Sequence, residues 1–187
     1  MTRDELLDKY RYAEVEHDDW WEGDYEALRG RADSLGIEVE EITFTGFYSQ
    51  GDGAAFSGRA VEPFSILNKA DYPLLSKYID ERGYYECSWR LAPRGNFTYD
   101  VDFNLQESFM DILDVDHPFA DIWDEEIFYE VDEAQRAVQN VVDELEYQLY
   151  SDLRSTYEYL TSDEVVWECI VANQWDEELD ETSEEEQ

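Results

Sequence analysis

The chain has few basic residues for its length. Its 187 residues contain 13 lysines and arginines against 49 aspartates and glutamates, so the formal net charge is −36. A surface of this sign repels nucleic acid and anionic membranes and attracts basic proteins. We therefore expect a basic protein as the partner, with no direct nucleic-acid contact and no membrane association.

Cysteine and histidine are also scarce. The two cysteines, Cys87 and Cys169, lie far apart and are expected to be packed thiols, and the two histidines, His17 and His117, have no catalytic set beside them. A zinc site would need C-x-x-C or H-x-x-x-H spacing, which is missing. The sequence predicts no metal, no cofactor and no enzyme activity.

Long apolar runs are missing as well. No run of about 18 apolar residues is present, and the first residues, MTRDELLDKYRY, lack the apolar centre of a signal peptide. We therefore expect a cytoplasmic protein. Apolar residues nevertheless make up 43% of the chain and aromatic residues 16%, which is enough to bury a core.

The acidic residues are distributed unevenly. Residues 1–94 contain 20 acids and 11 bases, a net charge of −9, whereas residues 95–187 contain 29 acids and two bases, Arg136 and Arg154, a net charge of −27. Salt adaptation fits the small number of lysines, and a solvated tail explains DEELDETSEEEQ at 176–187. Imitation of a nucleic acid's phosphates also accounts for the acids spread through 100–168, and we favour it.

Apolar periodicity and turn residues predict an α+β fold: an antiparallel sheet of about four strands with an N-terminal helix and long acidic C-terminal helices. The predicted strands are Ile42–Tyr48, Ala54–Ala60, 84–91 and 97–105, and the predicted helices are 3–12, 17–36 (stopped by Gly36), 70–83, a long segment from Asp124, and 161–175 with a capping box of Thr161 and Glu164.

The long segment from Asp124 has an apolar stripe at three- and four-residue steps, which is typical of an amphipathic helix. Its predicted core positions are Ile127, Val131, Ala134, Val138, Val141, Leu145, Leu149, Leu153 and Leu160. We expect one domain over 1–175, with a sheet-containing half (1–105) and an acidic helical half (106–175), followed by a disordered tail at 176–187.

The glycine-rich stretch SQGDG, residues 49–53, has three interpretations. A phosphate loop would need a lysine and a following helix, and a calcium loop would need oxygen ligands at fixed spacings; neither pattern is present. Glycines between two alternating strands are typical of a hairpin. Gly46 and Gly58 inside the predicted strands indicate bulges or a close backbone approach.

The segments DKYRY, DDWWEGDYE and ITFTGFYSQGDGAAFSGR, within residues 9–60, resemble a family of small, mostly uncharacterised bacteriophage proteins. The shared feature is an N-terminal helix containing WW, which leads to a GF-x-SQGDGA-x-F-x-G hairpin. The resemblance implies a phage origin and the host cytoplasm, but no mechanism. The acidic half is similar in composition, though not in motif, to phage DNA mimics that block restriction enzymes.

These observations predict a phage-encoded inhibitor that imitates nucleic-acid charge and blocks the DNA-binding cleft of a host defence or DNA-processing protein. Carboxylates three and four residues apart on a helix lie roughly 5 to 6 Å apart and can follow one phosphate strand in outline. With few bases nearby, we expect them not to be paired locally. The predicted partner-binding residues are Asp132, Glu133, Asp143, Glu144, Glu146, Asp152, Glu158, Asp163, Glu164 and Glu168.

A protein-binding adaptor or inhibitor that does not imitate DNA is the alternative. It would use the 42–60 hairpin and aromatic surface around Trp20 and Trp21. The sequence leaves the oligomeric state open, and a homodimer is one of the partners it allows.

Overall fold

A computed structural model of the chain describes residues 1–16, 19–49, 52–60, 65–82, 89–93, 99–103 and 125–178. The predicted features at His17, at Cys87, at His117 and in the tail from residue 179 lie outside these ranges. Within the described ranges, no helix is both long enough and apolar enough to cross a membrane.

The chain divides into two compact units. The first unit contains Met1–Asp24 and Ser151–Gln187, and the second contains Tyr25–Tyr150. The predicted single domain over 1–175, with its halves meeting at residue 105, stays a prediction. The fold is mixed and mostly helical, with an antiparallel pair of strands, so the α+β expectation is confirmed at this level.

Five α-helices are described: α1 (Arg3–Tyr10), α2 (Glu22–Ser34), α3 (Pro73–Arg82), α4 (Glu125–Leu160) and α5 (Asp163–Ala172). Each lies inside a predicted helical segment. Helix α2 ends as expected, because Gly36 follows with φ of +73° and its N–H donates to the Asp33 carbonyl. Its start was predicted too early, since Trp20 and Trp21 precede the helix.

The first unit is built around α1 and α5. Leu6 and Leu7 of α1 pack with Val166 and Ile170 of α5, and all four side chains are buried. A capping box of Thr2 and Glu5 starts α1. Two short apolar faces from the beginning and the end of the chain thus form one core.

The caps and ion pairs of this unit join distant parts of the sequence. Helix α5 begins at a cap from Ser162, whose hydroxyl accepts from the Val165 N–H, so the prediction of Thr161 as the capping residue was wrong by one position. The Arg11 guanidinium donates to the Thr161 carbonyl at 3.0 Å and to Asp163 at 2.9 Å.

The second unit contains the hairpin of β1 (Ile37–Phe44) and β2 (Ala54–Ala60), which pair antiparallel. The predicted hairpin is therefore present, but its first strand begins five residues earlier than expected. Gly36 ends α2, and β1 follows it at once. Glu38 and Arg59 are opposite each other and form an ion pair at 2.8 Å, which lowers the pKa of the Glu38 carboxyl.

The bulge predicted near Gly58 lies on the opposite strand. The register shifts between Val39 and Glu41, across from Gly58. A Cβ on Gly58 would stand 2.5 Å from the Glu38 carbonyl oxygen. Only glycine allows the two backbones to approach this closely, so the predicted close approach is confirmed.

Two shorter strands follow, β3 (Trp89–Pro93) and β4 (Tyr99–Phe103), and they pair antiparallel with each other. Strand β3 meets β2 at two residue pairs, Arg59–Arg90 and Ala60–Trp89. The antiparallel pairing is extensive between β1 and β2 and short between β2 and β3. A sheet of four full strands therefore stays a prediction.

Helix α4 is continuous for 36 residues. Its buried stripe is Val131, Ala134, Val138, Val142, Leu145, Leu149 and Leu153. Val142 takes the buried position predicted for Val141, because at roughly 100° per residue Val142 lies nearer the centre of the buried stripe. The predicted amphipathic helix is thus confirmed, but Leu160, predicted as a core position, is half-buried. The side chain of Ile127 lies outside the part of the chain that the structure describes.

Candidate functional site

The outward face of α4 is the side of the helix that lies opposite its buried stripe. A helix turns by roughly 100° per residue, so Asp132, Asp143 and Glu144 point away from the stripe, and all three are exposed. Glu133 lies on the same side but is half-buried, and it accepts a hydrogen bond from the Tyr129 hydroxyl, which raises the pKa of Tyr129. Four of the predicted partner-binding acids therefore share one face.

Glu146 was wrongly predicted to be one of these surface acids. It lies on the flank of α4 that faces the hairpin, and its carboxylate accepts a hydrogen bond from the Phe56 backbone N–H. Burial, with a smaller contribution from the charge of Asp143, raises the pKa of Glu146 to about 7, although the hydrogen bond from Phe56 acts in the opposite direction. At neutral pH this group carries only part of a charge, so it adds little to an acidic surface.

The position of Phe56 explains why a hydrogen-bond acceptor is needed there. Thr45 N–H donates to the Gly53 carbonyl at 3.1 Å, and hydrogen-bonded pairs alternate along an antiparallel ladder. The Ile42–Phe56 pair is therefore a non-bonded pair, and the Phe56 N–H points away from β1. Glu146 satisfies this buried donor, which would otherwise be costly.

Asp152 is the second correction on α4. By helical rotation it lies close to the buried stripe, and its residue is half-buried. Helical spacing alone does not show which side of α4 packs against the rest of the chain. It is not part of the outward acidic face.

Two further acids form ion pairs within the chain, contrary to expectation. Glu158 accepts from Arg154 at 2.8 Å, one turn away on α4, and Asp163 accepts from Arg11 at 2.9 Å. The first pair follows the i,i+4 rule and could have been predicted. The second joins residues 152 positions apart, so no local pattern indicates it. Both acids keep an exposed surface.

Helix α5 contributes the last two predicted residues. Glu164 and Glu168 are one helical turn apart on this helix, and both are exposed. No salt bridge to either is described in the residues that the structure covers. They form a second acidic face, on a helix whose opposite side packs on α1.

The outward face of α4 also carries residues that the charge analysis missed. Tyr129 and Tyr147 are 60% and 70% exposed, and Arg136 lies between them on the same side. Their separation from the apolar stripe was the signal in the sequence, since aromatic residues there cannot reach the core. Exposed aromatic rings of this kind are common at protein interfaces.

The loop between β1 and β2 is held by its own aspartate. The Asp52 carboxylate accepts from the Tyr48 N–H at 2.8 Å and from the Ser49 N–H, and the Gly53 N–H donates to the Thr45 hydroxyl at 3.1 Å. Gly46 has φ of +128° and lies against the Asp52 carboxylate. The acidic group of this loop is thus used in closing the turn.

The same loop is anchored to α4 and presents one ring outward. Phe47 packs on Tyr150 with ring centroids 5.5 Å apart, and the Tyr150 hydroxyl donates to the Phe47 carbonyl at 3.3 Å. The neighbouring Tyr48 is 72% exposed. A fixed loop with an exposed tyrosine can contact a partner without losing much conformational entropy.

The aromatic pair of the N-terminal motif is less available than expected. Trp20 lies 5.9 Å from Tyr157 and 5.5 Å from Trp21, ring centroid to ring centroid, and both tryptophans are half-buried. Their packing is mainly structural.

Cys169 is the one predicted thiol that the structure describes. It donates to the Glu14 carboxylate at 2.9 Å, and burial raises its pKa to about 11. A thiol with a raised pKa is a poor nucleophile and a poor metal ligand at neutral pH. Within the described ranges, no group of three His, Cys, Asp or Glu side chains is arranged to hold a metal ion.

Comparison with known proteins gives one match. No curated protein matches the chain, and no solved structure matches it. A family model described as a domain of unknown function, DUF8835, matches residues 20–163. The match includes the hairpin and all but the last residues of the acidic helical region, and it covers more than half of the sequence. The chain therefore belongs to the DUF8835 family.

Proposed function

We propose that this chain is a phage-encoded binding protein, not an enzyme, that acts in the host cytoplasm. Its acidic helices imitate the charge of a nucleic acid and occupy the DNA-binding cleft of a basic host defence or DNA-processing protein. The observation that carries the proposal is the pair of exposed acidic faces on α4 and α5, with Asp132, Asp143, Glu164 and Glu168 among their members.

The charge density of these faces supports the proposal. Duplex DNA carries one negative charge per roughly 1.7 Å of its axis, and helical neighbours follow at roughly 5 to 6 Å. The acids on each helix, taken by itself, therefore resemble one phosphate strand rather than a full duplex. Arg136 and Arg154 lie among the exposed acids of α4 and interrupt its negative charge. The binding energy is therefore expected to be spread over many carboxylates.

The test is capture of host proteins on the immobilised chain at low salt, followed by a salt gradient and mass spectrometry. We expect one dominant nucleic-acid-binding enzyme that elutes at moderate salt and is competed off by duplex DNA. Replacing Asp132 and Asp143 by Asn together with Glu164 and Glu168 by Gln should weaken its binding at least tenfold.

A matched variant controls for total charge. Replacing Glu16 and Glu26 by Gln and Asp19 and Asp33 by Asn removes the same four charges from exposed positions outside α4 and α5. Equal losses from both sets would mean that the overall field, and not the two faces, binds the partner. A captured partner that ignores duplex DNA would overturn the mimicry proposal.

A second candidate is an adaptor or inhibitor that grips its partner through aromatic side chains. The exposed Tyr48 on the anchored loop and the exposed Tyr129 and Tyr147 on α4 favour it. Binding of this kind tolerates salt, since burial of apolar area is not screened. Replacing Tyr48 by Ala should then cost more affinity than the four acidic replacements.

We further propose that β3 and β4 extend the hairpin into one antiparallel sheet of four strands, as the alternating sequence predicts. The pairing at Arg59–Arg90 and Ala60–Trp89 supports this arrangement. Hydrogen exchange tests it, because the backbone amides of residues 89–92 should be protected to the same degree as those of β1.

A further inference from the structure

An open groove of about 390 Å³ lies between the end of α2 and the middle of α4, within the second unit. Its apolar lining comes from Leu35 after α2 and from Val141 and Leu145 on α4. Leu145 is buried, while the other two are half-buried. The volume suits a long side chain or a small ligand, since binding pockets typically measure roughly 300–1,000 Å³.

The α4 side of the groove is polar along its rim. Asn140, Glu144 and Gln148 follow each other at four-residue steps, so they line one side of the helix. The Gln148 amide donates to Glu144 Oε1 at 2.8 Å. Each carboxylate oxygen has two lone pairs, so Glu144 can accept further hydrogen bonds while this one is kept.

The α2 side of the groove contributes one positive and one partial negative charge to the electrostatic potential inside it. Arg31 lines the groove and opposes a cation there, whereas the carbonyl end of the α2 dipole favours one. The Ser34 hydroxyl donates to the Arg31 carbonyl at 2.6 Å, which holds this last turn in place. The formal charge of −36 then decides the balance in favour of a cationic ligand.

We propose that this groove receives an arginine side chain of the basic partner, an inference that rests on the proposed function. The aliphatic stem of the arginine lies on Leu35, Val141 and Leu145, because such stems bury readily on apolar surface. Its planar guanidinium donates to the Glu144 carboxylate and to the side-chain carbonyls of the rim, a geometry that a compact ammonium matches less well. The groove thus supplies a specific anchor within an otherwise diffuse electrostatic contact.

The probe is n-butylguanidinium, titrated into the full-length chain and followed by two-dimensional ¹H–¹⁵N NMR at physiological salt. We expect saturable shifts centred on the backbone amides of Leu35, Val141 and Leu145. Methylguanidinium has the same charge without the stem, and it should bind about five- to tenfold more weakly because it buries less apolar surface. Equal affinities of the two cations, or shifts spread over all acidic surfaces, would overturn the proposal.

Two neighbouring acids provide a matched pair of variants. Glu144 and Asp143 are both exposed on α4, and each accepts from a glutamine amide four residues away, Gln148 and Gln139 respectively. Only Glu144 lines the groove. We expect Glu144→Gln to weaken n-butylguanidinium binding about tenfold and Asp143→Asn to weaken it less than twofold. Equal effects would show that the overall field attracts the cation.

The sign of the ligand is tested with butyrate, which has a similar stem and the opposite charge. Binding of butyrate at the same amides, with loss on Arg31→Gln, would overturn the assignment of a cationic ligand. We expect no saturable butyrate binding. Because Arg31→Gln changes a lining residue, its unfolding midpoint is compared with that of the unaltered chain.

The outcome of this experiment can be distinguished from the outcome of the capture experiment that tests the proposed function. The four acids replaced in the capture experiment, Asp132, Asp143, Glu164 and Glu168, do not line the groove. If that variant loses DNA-competed capture and the unaltered chain does not bind n-butylguanidinium, mimicry is upheld and the guanidinium site in the groove is refuted. Stem-dependent n-butylguanidinium binding without a DNA-competed partner would uphold a guanidinium site and remove mimicry.

Discussion

The Phe56 N–H, on the side of β2 that faces away from β1, donates to the half-buried carboxylate of Glu146 in the middle of α4. Glu146 Oε1 is buried with no hydrogen-bond partner among the described residues. A carboxyl in this setting prefers to be neutral, and its pKa of about 7 lies above the usual value. The hairpin and α4 are therefore joined by a group that titrates near neutral pH.

The first prediction concerns the pH dependence of stability. Because the native pKa of Glu146 is raised, the folded chain holds this proton to higher pH than the unfolded chain does. Its contribution therefore favours folding below pH about 4.5 and is lost as the pH rises to about 7. Between these pH values the unfolding free energy of the unaltered chain should therefore fall by about 1 to 2 kcal/mol through Glu146, after allowance for solvent screening. In Glu146→Gln this decrease should be absent.

Urea unfolding at pH 5.5 and pH 8 measures this effect. The exposed Glu144→Gln variant removes one charge without the buried hydrogen bond, and it controls for general repulsion among the acids. A Glu146→Gln chain that keeps the same pH dependence as the Glu144→Gln chain would contradict the assignment.

The second prediction concerns the core of the first unit. Ile170 is fully buried against Leu6, Leu7 and Val166, so Ile170→Ala should cost about 2 to 5 kcal/mol of unfolding free energy. Its neighbour Val171 is 47% exposed, and Val171→Ala should stay within about 0.5 kcal/mol. Denaturant unfolding followed by tryptophan fluorescence reports the difference, and similar costs for both would refute this packing.

The third prediction compares two glycines. Gly58→Ala places a methyl group 2.5 Å from the Glu38 carbonyl oxygen, and the strands must separate to accommodate it. Gly30, inside α2, has nothing within 4 Å of the added carbon, and Gly30→Ala should stabilise the chain by about 0.5 to 1 kcal/mol. The melting temperature should therefore fall for the first variant and rise for the second. A rise for both would mean that the bulge opposite Gly58 is not as described.

The fourth prediction concerns the loop between β1 and β2. Asp52→Ala removes the acceptor for the Tyr48 and Ser49 N–H groups, and should cost about 1 to 2 kcal/mol because these donors lose a charged partner. Asp52→Asn keeps an acceptor and should cost less. Hydrogen exchange of the two amides gives the readout, and unchanged protection in Asp52→Ala would argue against the closed turn.

Local sequence pattern predicted the helices well and the strands less well. The apolar stripe of α4 and the stop at Gly36 depend on neighbouring residues only, and both were predicted. The start of β1 was missed, since Ile37–Glu41 contains three glutamates, which are infrequent in strands, and strand limits depend on pairing. Val142 replaced Val141 in the core because neighbouring elements determine which side of the helix is covered.

The sequence by itself determined the charge asymmetry, the amphipathic helices and the hairpin, because composition and short-range spacing decide these features. Only the tertiary structure decided which acids remain on the surface. Glu146 is partly buried by a strand about 90 residues earlier in the chain, and Asp163 is paired with Arg11, which follows α1. Burial and ion pairing depend on distances between segments that are remote in sequence, and these distances exist only once the chain has folded.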